Sequence, residues 1–396
     1  MTILDTQGVT YPAGFRAAAA NCGFRTGRDD LALVVSDAPA SVAGAFTTNR
    51  FCAAPVLLCK EHLAGGRARA FLCNSGNANA ATGDAGYRAA EACVNALASS
   101  LSCAAAEVFM CSTGKIGIPF PAERVTNATE ALVAALSPDG GTKAAQAILT
   151  TDTCVKQRAV EIAVDGKRVR IGGMAKGSGM IMPNMATMLA FITTDAAIES
   201  AHLQRLLSRA VAVSFNRVTV DGDTSTNDTV LVMANGASGA RITAQNEAAF
   251  YAALEAVCIE LARMLAIDGE GATKFVTVRV EGCRTVADAD AIARTVANSP
   301  LVKTALYGSS PNWGRVAAAA GRAGVAFDQY TMDISFNGIL TMEKGMPRAF
   351  DKAGLLNAFK QHDLEITIVL RDGNANATVW TCDLSHKYVD INVDYN

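Results

Sequence analysis

The chain has 396 residues, half of them hydrophobic and 18% charged, and its formal net charge is −2. That composition excludes a disordered protein and leaves ample material for two domains or one elaborate one. With Lys and Arg scattered and the charge near zero, nothing favours nucleic acid or an anionic membrane surface as a partner.

Apolar runs predict strands at Leu31 to Val35, Val42 to Phe46, Val56 to Leu58 and Ala70 to Cys73. Alanine, valine and leucine at three- and four-residue spacing predict a helix over Tyr87 to Leu101, with Asp84 near its start. A strand over Glu107 to Met110 is expected to run into a turn at Ser112-Thr113-Gly114. Helices follow at Ala128 to Leu136 and Thr142 to Leu149, parted by the breaker Pro138-Asp139-Gly140-Gly141. Val160 to Val164 and Val169 to Ile171 make a hairpin around Asp165-Gly166, and Met188 to Ile192 reads as a buried strand. Helices Ala201 to Val213 and Ala248 to Leu265 then flank strands near Arg217 to Val220 and Val230 to Met233.

From about Phe275 the pattern is compact α+β. It takes a strand at 275–280, a helix at 287–297, a strand at 301–306 and a helix at 313–320. A hairpin near 332–342 and strands at 365–370 and 376–382 close the chain. Ser310-Pro311 reads as a helix start, serine capping and proline near the first position.

The eleven cysteines are odd in number, irregularly spaced and without a Cys-x-x-Cys pair, so neither a disulfide framework nor a zinc ribbon is indicated. Cys22, Cys52, Cys59, Cys73, Cys93, Cys103 and Cys111 sit mostly among alanine, leucine and phenylalanine, where a thiol behaves as a small hydrophobe. His62, His202, His362 and His386 are far apart and lack ligand spacing. A reduced, metal-free, cytoplasmic protein is expected. The N-terminal residues lack a basic stretch followed by an apolar core, so no signal peptide is expected, and no apolar run reaches the roughly 20 residues a membrane helix requires.

Residues 174 to 195 are the most informative stretch. Lys176 is flanked by small residues, and Thr187 lies between Ala186 and an apolar run. A hydroxyl at the mouth of a strand, preceded by a small residue, suits a chain that cuts itself. The Thr187 oxygen attacks the Ala186 carbonyl, the acyl group moves from nitrogen to oxygen, and hydrolysis leaves Thr187 as a new N-terminus. Its α-amine then serves as base for its own hydroxyl. A structural threonine at a strand edge is the competing reading. Thr113 and Gly114 are candidates for an oxyanion hole, since a hydroxyl and a backbone N–H can converge there; an ordinary turn is the alternative. Lys176 lacks the Walker spacing of a phosphate loop. The stretch Asp221 to Asp228 lacks the spacing and closing glutamate of a calcium loop, and is expected to be a structural or site-lining turn.

Several ordered blocks give these residues a context. They include Phe46-Thr47-Thr48-Asn49-Arg50, Asn74-Ser75-Gly76-Asn77-Ala78-Asn79-Ala80, Ser112-Thr113-Gly114 and Thr150-Thr151-Asp152-Thr153. Lys176-Gly177-Ser178-Gly179-Met180-Ile181, Pro183-Asn184-Met185-Ala186-Thr187-Met188-Leu189 and Asp268-Gly269-Glu270-Gly271-Ala272-Thr273-Lys274 continue them. With these blocks the chain resembles, along nearly its whole length, the ornithine acetyltransferases, also called glutamate N-acetyltransferases.

The resemblance implies an α-β-β-α layered sandwich over 1–274 with a smaller C-terminal α+β domain over 275–396. It implies cleavage between Ala186 and Thr187 into chains 1–186 and 187–396, which stay together, and an α2β2 heterotetramer is expected. The implied reaction is ping-pong: Thr187 takes acetyl from N2-acetyl-L-ornithine and L-glutamate collects it. No cofactor is implied, and acetyl-CoA as a second donor stays open. Thr113 and Gly114 would form the oxyanion hole; Thr150, Lys176, Thr187, Glu270 and Asn392 would bind substrate, with Glu270 suited to the side-chain ammonium of ornithine.

Three positions depart from the family pattern. Lys115 stands where the family usually has an apolar residue, and an ammonium there can alter local pKa values or substrate preference; Ser310 stands where the family has aspartate, and Asn396 ends the chain one position short of a family tail residue. Two other functions compete: a self-processing aminopeptidase or amidase with water as acceptor, and a non-catalytic binding protein.

Overall fold

The computed structural model describes residues 1–182 and 188–394. They form two compact units, Met1–Asn216 with Asp223–Leu265, and Arg217–Gly222 with Ala266–Asn396. The units therefore part after Leu265 rather than at the expected 274/275 boundary, and residues 217–222 go with the second.

The first unit carries nine strands: β1 Thr2–Leu4, β2 Phe15–Ala20, β3 Leu31–Phe46, β4 Arg67–Asn77, β5 Val108–Lys115, β6 Lys156–Val164, β7 Lys167–Lys176, β8 Leu189–Thr194 and β9 Thr229–Ala234. They run in the order β1-β6-β7-β8-β9-β3-β4-β5, with β2 on β3. The two strands expected at Leu31 to Val35 and Val42 to Phe46 are one strand, β3. Its first part pairs with β2 and β4, its second part with β9, and the register shifts between Val35 and Ala40. Asp37, Ala38 and Pro39 are exposed at that shift, and proline has no N–H for the ladder, so the strand bends there without a turn.

The bend folds the sheet into two facing layers. Phe71 on β4 meets Phe191 on β8 with ring centroids 5.6 Å apart. The core between them takes Val34, Phe71, Cys73 and Phe109 from one layer and Met174, Leu189, Phe191, Leu231 and Met233 from the other. Ala144, Ala145 and Ala147 of the helix Gly141–Ala147 join the same core. On one outer face Leu33, Leu72 and Met110 pack against Cys93, Val94 and Leu97 of the helix Gly83–Leu101. On the other, Val257 and Leu261 of the helix Glu247–Ile267 fill the space that a Cβ on Gly173 would need. The layers run helices, sheet, sheet, helices: an α-β-β-α sandwich. Strand residues alternate between the two faces with a period of two, so each layer is apolar on both sides.

The second unit has a six-stranded sheet, β10 Phe275–Cys283, β11 Asp333–Phe336, β12 Ile339–Glu343, β13 Met346–Pro347, β14 Asp363–Val369 and β15 Ala375–Cys382. Their order is β13-β12-β11-β14-β10-β15, and β10 runs parallel to β14. Val276, Val278 and Val280 alternate into a core shared with Ile366, Ile368 and the helix residues Ile292 and Val296. Each such fully buried side chain contributes about 1.5–3 kcal/mol.

Three expected strands have other structures. Val56 to Leu58 lies in the helix Ala54–Leu63, where Pro55 occupies the first turn. Residues 301–306 lie in the helix Pro300–Tyr307, where the Ser299 side chain accepts from Val302 N at 3.4 Å and Pro300 opens the first turn. In both cases the proline pre-sets the helical φ and gives up an N–H that the helix start leaves unpaired anyway. Near Arg217 to Val220 the structure has a 3₁₀ turn, Phe215–Arg217, and a single bridge from Val218 to Trp380. Ser310 is not a cap either. The helix Trp313–Gly321 is capped by Asn312, whose Oδ1 accepts from Arg315 N at 3.1 Å. Among the described residues no helix is long and apolar enough to cross a membrane.

Candidate active site

The expected turn at Ser112-Thr113-Gly114 is strand. β5 continues to Lys115 because β4 pairs with it in parallel throughout, Ser75 opposite Thr113 and Gly76 opposite Gly114. The two glycines let the backbones approach closely. Gly114 has φ +136°, and a Cβ there would lie 2.3 Å from Gly76 C and 2.5 Å from Asn77 N. Backbone atoms cannot swing away as a side chain can. Gly114→Ala is therefore expected to lower the thermal midpoint by several degrees, the φ alone costing about 1–3 kcal/mol. A melt matching the parent's would contradict this.

Asparagines fasten this strand end. Asn74 accepts from Ser112 Oγ at 2.6 Å and donates to Asn77 O at 2.9 Å. Asn227 donates from Nδ2 to Ala78 O at 2.7 Å and to Ser112 O at 2.9 Å. Ala78 N in turn donates to Lys115 O at 3.0 Å. The Lys115 side chain itself is exposed.

Lys176 ends β7, and its side chain is buried. Its Nζ donates to Thr150 Oγ1 at 2.7 Å and to Thr113 Oγ1 at 3.2 Å. The threonine-rich block before β6 supplies its counter-charge. Asp152 Oδ1 accepts from Lys156 Nζ at 2.7 Å and from Gly177 N at 2.6 Å, and Oδ2 accepts from Thr150 N at 3.0 Å. The side chains of Asp152 and Lys156 are both fully buried. Burial opposes the charge on Asp152, yet the ammonium groups of Lys176 and Lys156 hold its carboxyl well below the usual carboxylate range. Burial also draws Lys176 below its ordinary value, an effect Asp152 partly offsets.

The strand β8 begins beside this cluster, with Leu189 opposite Lys176. Met188, peptide-bonded to Thr187, donates its backbone N–H to Asp228 Oδ1 at 2.9 Å. Burial pushes the Asp228 carboxyl well above its ordinary value. Ala186 and Thr187, the expected cleavage pair and nucleophile, lie outside the described residues, as does Asn396.

Of the expected site residues, Thr113, Thr150 and Lys176 converge in the first unit through hydrogen bonds, with Gly114 next to Thr113 on β5. Glu270 and Asn392 meet in the second, where Asn392 Nδ2 donates to Glu270 Oε2 at 2.8 Å. Asp152, Lys156 and Asp228 were given no individual role from the sequence. A lone aspartate among threonines, four residues before a lysine, was the available signal for the first two. The stretch 223–228 lines the site, through Asn227 on Ser112 and Asp228 on Met188. No cluster of histidine, cysteine, aspartate or glutamate that could hold a metal occurs among the described residues.

A buried ammonium joined to two hydroxyls, beside a strand end where two glycines bring the backbones close, can steady a carbonyl oxygen that gains charge. On an α-β-β-α sandwich it defines an enzyme of acyl transfer. A model of the ArgJ family matches residues 16–396. The arginine biosynthesis bifunctional protein ArgJ of Thermosynechococcus vestitus is 48% identical, over 98% of this chain and 98% of that one. Its counterpart in Chlorobaculum tepidum is 47% identical, over 98% and 97%. The chain belongs to the ArgJ family and is a glutamate N-acetyltransferase of arginine biosynthesis.

Proposed function

We propose that the chain cleaves itself between Ala186 and Thr187, and that the freed Thr187 carries acetyl from N2-acetyl-L-ornithine to L-glutamate. The observation behind this is the convergence of Lys176, Thr113 and Thr150 where β8, the strand that follows Thr187, begins opposite Lys176. Thr187 Oγ attacks the acetyl carbonyl, its proton passing to the α-amine and on to the departing N2 of ornithine. The glutamate amine then attacks the acetyl ester and gives up its proton through the same α-amine, which returns it to Thr187 Oγ. An amine with a pKa of about 8 suits both transfers near neutral pH.

In this reading the Thr113 hydroxyl and the Gly114 N–H hold the oxyanion. An ammonium has three N–H groups; Thr113 and Thr150 take two of those on Lys176, and the third meets a substrate carboxylate. Glu270, steadied by Asn392, takes the side-chain ammonium of ornithine. The chemistry needs no resident cofactor or metal. The two chains form an α2β2 heterotetramer, as the resemblance implies, and eleven free thiols favour a cytoplasmic setting.

Incubation with acetylornithine tests the reading. Without glutamate, ornithine should stop at about one equivalent per active site, the acetyl staying on Thr187, and continued release should need glutamate. Equal release into water alone would mark an amidase instead, and acetyl-CoA offered in place of acetylornithine shows whether it is a second donor.

A further inference from the structure

A hydroxyl can stabilise an oxyanion only if its hydrogen points at it, and a free threonine hydroxyl rotates. In this site something restrains that rotation. The Thr113 oxygen is taken as an acceptor by the Lys176 ammonium at 3.2 Å, and the residue is 5% exposed. Among the described residues the Thr113 hydroxyl hydrogen has no acceptor of its own.

We propose that Lys176 is a positioning residue of the oxyanion hole, fixing the hydrogen of the Thr113 hydroxyl outward so that it donates to the developing charge. The inference rests on the oxyanion role given to Thr113 above and adds to it a cause for the hydroxyl's direction. Two features of the cluster make the arrangement rigid. Lys176 Nζ is also tied to Thr150 Oγ1 at 2.7 Å, and Thr150 N is held by Asp152 Oδ2 at 3.0 Å. Asp152 Oδ1 clamps Gly177 N, the peptide that follows Lys176, at 2.6 Å. The lysine is thus held at both its backbone and its ammonium, with the Thr113 oxygen in reach. Donation by an ammonium also polarises the hydroxyl, which makes its own hydrogen a stronger donor.

Two residues that act through one hydrogen bond do not contribute independently. A double-mutant cycle on kcat, per mole of cleaved chain, separates the possibilities. Thr113→Ala is expected to lose about 10²–10³ in kcat, the usual cost of one oxyanion donor. Lys176→Met should lose at least about ten-fold. In the Thr113→Ala background Lys176→Met should cost little more in kcat, within about two-fold. Loss of the third N–H is read separately, as a rise in KM in both backgrounds. Thr113→Ser keeps a hydroxyl and should retain most of the parental kcat beside Lys176 but not beside Met.

Should Lys176→Met fold poorly, Lys176→Gln serves instead. Its amide can still donate to the Thr113 oxygen, so it should retain more kcat than Thr113→Ala does. Multiplying losses in the double variant would overturn the link between the two residues and leave the oxyanion role of Thr113 standing. A parental kcat in Thr113→Ala alone would overturn that role, and this inference with it.

Discussion

Replacing Thr187 with alanine should leave a single band near 41.1 kDa and no acetyl exchange. The two losses have one cause. Self-cleavage uses the Thr187 hydroxyl to attack Ala186, and transfer uses the same hydroxyl with the α-amine that cleavage releases. A secondary hydroxyl without an adjacent base is a poor nucleophile at neutral pH. The loss in kcat should be roughly 10⁶, the scale seen when a hydrolase of this logic loses its nucleophile. Thr187→Ser keeps the hydroxyl and should still split into two bands. An alanine variant that exchanges acetyl at the parental rate would refute the role given to Thr187, whatever became of the cycle on Lys176 and Thr113.

Asp152→Asn should cost about 3–5 kcal/mol of stability, because it leaves Lys156 and Lys176 buried without their shared anion. The geometry is unfavourable to relief: the Asp152 and Lys156 side chains are fully buried, and Lys156 Nζ lies 2.7 Å from the carboxylate. Denaturant unfolding at neutral pH measures the loss. The pH dependence has a definite sign. The carboxyl is held below its unfolded value near 3.9, so its contribution is complete above that pH and is lost as acid protonates it in the folded state. The gap between parent and variant should therefore shrink as the pH is lowered below about 4. Adding Lys156→Met to Asp152→Asn should restore part of the stability, since it removes one of the two buried ammonium groups that shared the lost carboxylate. A gap of the same size at pH 3 and pH 7 would show that charge is not its source.

The sequence made much of the fold legible, and the successes share a form. The hairpin around Asp165-Gly166, the helix over Tyr87 to Leu101 and the strands at 275–280 and 376–382 are each written in one short window of periodicity and turn chemistry. The errors share a form as well. Val56 to Leu58 and residues 301–306 are segments too short for their period to be read, and in both the deciding residue was a proline at the helix start. Asn312 took the cap expected of Ser310 because its side chain reaches Arg315 N.

The site divides in the same way. Thr113, Gly114, Thr150, Lys176, Glu270 and Asn392 could be named from motif resemblance, and the structure groups them within the two units as Thr113 and Thr150 around Lys176, and Asn392 on Glu270. The roles of Asp152, Lys156 and Asp228 could not be read, because a buried charge is recognised only by what surrounds it.

Local order, then, was the sequence's own contribution: which segments are helix or strand, where glycine permits a turn, and which blocks carry chemistry-bearing side chains. The meeting of those blocks belonged to the tertiary structure. Lys176 reaches Thr113 across 63 residues of chain, and Asn227 reaches Ser112 across 115. Those distances close only because β3 bends, so that the two layers of the sheet face each other. Strand pairing over such separations depends on register and on the packing of two layers at once, and no single window of residues encodes either.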